Sequence, residues 1–75
     1  MVAEERVRIE VAFDGGQIMG AYVELSAADA LERALDETRD GALALEAEDG
    51  RYTVALRRVV YLKRFSREGR VGFTG

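Results

Sequence analysis

The 75-residue sequence contains no cysteine, histidine, proline, tryptophan or asparagine. Each absence removes chemistry. Without cysteine there is no disulfide framework, no thiolate nucleophile and no Cys-ligated zinc or iron–sulfur site. Without histidine the usual general base and the commonest metal ligand are missing. The remaining hydroxyls, on Ser26, Ser66, Thr38, Thr53, Thr74 and the tyrosines, have no imidazole to activate them. Gly15-Gly16 is part of neither a Gly-x-Gly-x-x-Gly nor a Gly-Lys-Ser/Thr phosphate loop. Asp36/Asp40 and Glu32/Asp36 read as a solvated acidic helix face. Glu46-Ala47-Glu48-Asp49 lacks the ligand spacing of a calcium loop. Long apolar runs are absent too, none approaching the ~18 residues of a membrane span. The expectation is a protein that is no enzyme, holds no cofactor or metal, and does not cross a membrane.

What is present suits one folded domain over residues 1–75, with 48% apolar and 33% charged residues. A chain of this size buries only about 60% of its unfolded surface. Natural domains this small lean on disulfides, a metal or a second subunit. The first two are closed here, so a homo-oligomer is expected. Residues 1–6 carry charge where a secretory leader is apolar, and the expected location is cytoplasmic.

Charge is unevenly placed. Residues 1–50 hold 13 acids and 4 bases, net −9, whereas residues 51–75 hold 7 bases and 1 acid, net +6. Arg57, Arg58, Lys63, Arg64, Arg67 and Arg70, interleaved with Tyr61 and Phe65, form a candidate polyanion-binding set that would contact phosphates and stack on bases. Two other readings stand beside it. Acidic and basic strands can neighbour each other in one sheet, or opposed charges can steer one copy of the chain onto another. A pI near 4.9 weighs against nucleic acid as the favoured partner.

Periodicity supplies the elements. Val7, Ile9, Val11 and Phe13 alternate with Arg6, Arg8 and Glu10, the period-two signature of a half-buried strand over 6–13. Asp14-Gly15-Gly16 reads as a turn, and residues 17–25 as the returning strand. Ile18 and Tyr22 interrupt the polar side of that strand, which suggests burial on both faces or an oligomer contact. Ser26 reads as an N-cap, followed by an amphipathic helix over about 27–39 with Leu31 and Leu35 on its apolar stripe and an end near Gly41. Residues 42–48 and 51–56 alternate around Asp49-Gly50, a strong hairpin signal. Arg57-Arg58 reads as a bulge or tight corner. Residues 59–65 are apolar on both faces, which predicts a central strand. Ser66–Gly69 is a turn candidate, and Arg70–Phe73 a short last strand. The fold class is therefore α+β, mainly β: a small antiparallel sheet or barrel in the order β-β-α-β-β-β.

The segment from Val11 to Val23, with its acid–glycine turn and Gly20 inside the second strand, resembles the first hairpin of Sm-like and SH3-like small β-barrels. Leu56-Arg57-Arg58-Val59-Val60-Tyr61 resembles the tight corner into the last strand of those barrels. It is also similar to short bacterial domains of unknown function. The chain lacks the loop asparagine of Sm proteins and has Arg57-Arg58 where they carry Arg-Gly, so the resemblance implies the barrel fold without the RNA site. Residues 6–56 also resemble the hairpin–helix–hairpin of the β-grasp, although Phe73-Thr74-Gly75 is not the Gly-Gly terminus of its conjugating members. The expected function is a non-catalytic binding or assembly module that self-associates. The alternative is a nucleic-acid or nucleotide binder acting through the basic C-terminal strand.

Overall fold

The computed structural model describes residues 5–65. Strands β1 (Arg6–Phe13) and β2 (Ile18–Glu24) lead into helix α1 (Leu25–Glu37). Strands β3 (Ala42–Ala47) and β4 (Gly50–Ala55) follow, then a 3-10 turn (Leu56–Arg58) and strand β5 (Val59–Arg64). The order matches the sequence reading. The strands form one five-stranded sheet, β4-β3-β2-β1-β5, with every pairing antiparallel.

The first hairpin follows from Asp14, Gly15 and Gly16. The Phe13 carbonyl accepts from Gly16 N at 2.9 Å, and Phe13 N donates to the Gln17 carbonyl at 2.9 Å. Gly16 closes the turn with φ +96°, a region that side chains resist. The second hairpin turns through Glu48 and Asp49, and Gly50 opens β4 with φ +143°.

One face of the sheet and α1 enclose the core. Ile9, Val11, Val23, Leu31, Leu45 and Val54 are its largest fully buried side chains. Each is worth roughly 1.5–3 kcal/mol relative to exposure. Ala28 and Leu31 seat the helix on the sheet. The small side chain of Ala28 lets the helix come close, and Leu31 is fully buried in the core cluster.

The helix begins two residues before the predicted start, and Ser26 is not its N-cap. Glu24 holds that place in an extended conformation and makes no side-chain cap hydrogen bond. The reason lies in the sheet. Leu25 N donates to the Glu5 carbonyl at 3.1 Å, so the β1–β2 ladder itself satisfies the first orphan amide of the helix. At the other end, Thr38 N and Arg39 N both donate to the Ala34 carbonyl. The left-handed residue that ends the helix is Arg39, with φ 51°, rather than Gly41. Its guanidinium donates to the Val59 carbonyl at 2.7 Å, tying the end of α1 to the start of β5.

Strand β5 lies at a sheet edge, not at the centre as its two-faced apolarity suggested. A bulge explains the pattern. Tyr61 pairs with Ala12 but Val59 pairs with Phe13, which leaves Val60 as the extra residue. The parity of the strand flips there, so Val59 is buried and Leu62 also packs against the core while Val60 and Tyr61 stay exposed. The turn candidate 66–69 and the strand candidate 70–73 lie outside the described residues.

Candidate interaction surface

Alternation along β1 buries Val7, Ile9 and Val11 and sends Arg6, Arg8, Glu10 and Ala12 to the opposite side of the sheet. Register then sets their neighbours. Ala12 stands between Ile18 of β2 and Tyr61 of β5. Glu10 stands between Gly20 and Lys63. Arg8 stands beside Tyr22, and its carbonyl accepts from Phe65 N at 2.9 Å. The outer face is thus a grid of three rows: apolar, charged, and aromatic with a central cation.

Side-chain geometry reinforces each row. Tyr61 Oη donates to Glu10 Oε2 at 2.6 Å. That hydrogen bond, to a carboxylate that repels a phenolate, raises the Tyr61 pKa above its ordinary value. The Arg8 guanidinium carbon lies 5.0 Å from the Phe65 ring centroid and 6.0 Å from that of Tyr22. Lys63 Nζ sits 4.4 Å from the Phe65 centroid. Such cation–π contacts are worth about 0.5–1 kcal/mol at exposed sites and leave the positive charge unneutralised. Among the described residues neither Arg8 nor Lys63 makes an ion pair within 4.0 Å. A recess of about 240 Å³ opens where Gly20 offers no side chain, lined by Arg8, Tyr22, Glu48 and Asp49.

Among the described residues, the exposed large hydrophobics Ile18, Tyr22 and Tyr61 lie on this face, and Val60 lies at the bulge of the edge strand. Ile18 is 61% exposed, Tyr22 47%, Val60 60% and Tyr61 43%. Ala12, on the same face, is only 7% exposed between Ile18 and Tyr61.

The structure divides the polyanion-binding set predicted from sequence. Tyr61, Lys63 and Phe65 share the outer face. Arg64 turns to the inner side and reaches α1, where its Nη1 lies 2.9 Å from Asp29 and 2.7 Å from Glu32. These carboxylates, Glu32 foremost, hold the guanidinium even more firmly charged than usual. Arg57 and Arg58 lie on the 3-10 turn at the end of the sheet. There Arg58 pairs with Asp14 at 3.1 Å, and its carbonyl accepts from Asp14 N. Arg67 and Arg70 fall outside the described residues. Arg51 pairs with Glu46 across the β3–β4 hairpin at 2.7 Å, so much of the opposed charge in the sequence is used within the fold.

Sequence reasoning missed Arg8 and Glu10 as members of this face. Ile18 and Tyr22 had a visible signal, since both are apolar on the polar side of β2. Arg8 and Glu10 had none, because ordinary charged positions on a strand gain meaning only from what register sets beside them.

Among the described residues no group of acidic side chains has the arrangement of a metal site, and no helix is long and apolar enough to cross a membrane. No family model, no curated protein and no solved structure matches this chain.

Proposed function

We propose that this chain is a non-catalytic assembly module that associates with itself. The observation that carries the reading is the concentration of exposed Ile18, Tyr22, Val60 and Tyr61 on the outer face and edge of the β2-β1-β5 half of the sheet. The helix covers the inner face, whereas the outer face offers apolar and aromatic area to water. Large apolar and aromatic side chains gathered in the open on one side of a small domain mark interaction surfaces. Aromatic residues flanked by arginine are also enriched where protein interfaces carry their binding energy. The small core supports the same reading, since a second copy adds burial to the little that 75 residues supply alone.

The acid–glycine hairpin, Gly20 within β2 and the 3-10 corner before β5 support kinship with Sm-like and SH3-like small barrels. The reading of function does not depend on that kinship. Native mass spectrometry of the freshly purified full chain tests it: a dimer or higher species is expected, and a monomer with no bound partner overturns it.

A second reading has its own observation. The stack of Tyr22, Arg8, Phe65 and Lys63 has the aromatic and cationic make-up of a platform for unpaired bases. Glu10, Glu24 and Glu48 on or beside the same face oppose a polyanion there. Retention of single-stranded RNA or DNA at low salt, falling steeply as salt rises, would favour this reading over the first.

A further inference from the structure

We propose that a second copy of this chain docks face to face on the β1–β5 half of the outer sheet surface. The two copies would be related by a two-fold axis running along the strands between β1 and β5. The inference rests on the self-association reading and adds to it the place, the symmetry and the contacts.

The argument comes from the rows. A two-fold axis in that position exchanges β1 with β5, so each β1 residue meets the β5 residue of its own row in the other copy. In the first row Ala12 meets Tyr61 of the second copy. In the second, Glu10 meets Lys63. In the third, Arg8 meets Phe65. These are the pairs the register already sets side by side within one sheet. Every row joins complementary partners: a small apolar residue with an aromatic ring, an acid with a base, a cation with a π face. Exchanging the two strands therefore preserves complementarity at each position, as an isologous interface requires. Ala12 is already flanked by Ile18 and Tyr61, so an incoming ring packs over those two exposed side chains. Sheets packed face to face lie about 10 Å apart, a gap that opposed Glu and Lys or Arg and Phe side chains span together.

Charge selects this occupant over others. Acidic and basic side chains alternate across the face, with Glu10 beside Lys63 and Glu24 beside Arg6. A polyanion or a polycation meets like charge at Glu10 or at Lys63, whereas an inverted copy sets each of these two against the opposite charge. The two exchanged strands, over a length of eight residues, cover roughly 250 Å² in projection. That is below the standard interface size, so weak and transient association, in the tens of micromolar or above, is expected.

The test is sedimentation velocity on the full chain and on the variants E10K and K63E, from about 1 to 100 µM protein. The wild type is expected to dimerise. Each single variant places like charges opposite one another and is expected to associate roughly tenfold or more weakly. An equimolar mixture of E10K with K63E is expected to regain dimerisation, because each copy then offers the other an opposite charge in the second row. A purely intrachain effect cannot produce that rescue. A wild type that stays monomeric throughout overturns the self-association reading and this interface with it. A wild type that dimerises while both single variants dimerise equally well, or while the mixture is not rescued, overturns the interface and leaves self-association standing. Retention of single-stranded nucleic acid by a monomeric wild type, lost in K63E, overturns it in favour of a polyanion. Far-ultraviolet circular dichroism reports whether each variant is folded. If a single variant is not, E10K/K63E decides, since it keeps one acid and one base at the two positions. Wild-type association of that double variant is expected, and its loss overturns the interface.

Discussion

Replacing Leu31 with alanine removes the side chain that holds α1 on the sheet. Leu31 is fully buried, and Ala28 is its only equally buried neighbour within the helix. The other helix residues packed against the core, Leu25, Ala27, Ala34 and Leu35, are only partly buried. The surrounding β-strands are tied by ladders and cannot collapse fully into the vacated space. The loss is therefore about 3 kcal/mol, within the roughly 2–5 kcal/mol range for buried Leu→Ala changes. A chain of 75 residues has a total stability of roughly 4–11 kcal/mol, so this one change removes a large share. Arg64→Ala is the informative companion. It deletes both ion pairs to α1, but Asp29 and Glu32 are more than half exposed, and such pairs are worth about 0.2–1 kcal/mol each. Urea unfolding followed by circular dichroism, at a concentration low enough to keep the chain monomeric, measures both. Leu31→Ala is expected to cost at least twice as much as Arg64→Ala. A Leu31→Ala loss below about 1 kcal/mol, or the reverse ranking, refutes the argument that burial rather than ion pairing docks the helix.

Two glycines separate conformational need from lack of room. Gly41 has φ +76° with open space around it, so Gly41→Ala is expected to cost about 1 kcal/mol in thermal or urea unfolding through backbone strain alone. At Gly20 an added Cβ would meet the end of the flexible Arg8 side chain at 3.4 Å and the Ile9 carbonyl at 4.0 Å, both ordinary contacts, so Gly20→Ala is expected to change stability by no more than about 0.5 kcal/mol. Tyr61 should titrate late in an alkaline absorbance titration, because its bond to Glu10 favours the protonated phenol. With the folded pKa above the ordinary 10.0, the stabilisation is fully present below pH 10.0 and is lost as pH rises through the folded value. Tyr61→Phe is expected to reduce the late component, leaving the share of Tyr52, whose hydroxyl donates to Asp49 at 2.7 Å, and to remove its own part of the alkaline stability loss.

Much of the fold was legible because strand alternation is a local property. Val7, Ile9 and Val11 announce β1, and Leu43, Leu45 and Ala47 announce β3, without reference to anything distant. The Asp-Gly turns placed the hairpins for the same reason. Errors arose where a distant partner intervened. Period-two reading passed straight through the bulge at Val60 and made an edge strand look central. Ser26 looked like a cap because nothing local announced an earlier start, whereas Leu25 N bonds to the carbonyl of Glu5, twenty residues earlier, and the helix begins ahead of Ser26. Arg39 ends the helix in a conformation suited to glycine, held there by a carbonyl on another strand. Within the candidate surface, alternation put Tyr61, Lys63 and Phe65 together and Arg64 on the other face. Ion pairing then drew Arg58 to Asp14 and Arg64 to α1, away from the shared patch.

The sequence alone specifies a chain without disulfide, imidazole or rigid proline, built from alternating strands, glycine turns and one amphipathic helix. Those features depend on each residue and its near neighbours: side-chain direction, turn geometry, helix propensity. It also carries the opposition of an acidic first part and a basic last part. Which charges cancel and which remain available depends on sheet order and register, because only pairing brings residues fifty positions apart within a few ångströms. Glu10 beside Tyr61 and Lys63, and Arg8 beside Phe65, are products of that pairing. The outer face with its complementary rows exists only once β5 has closed against β1.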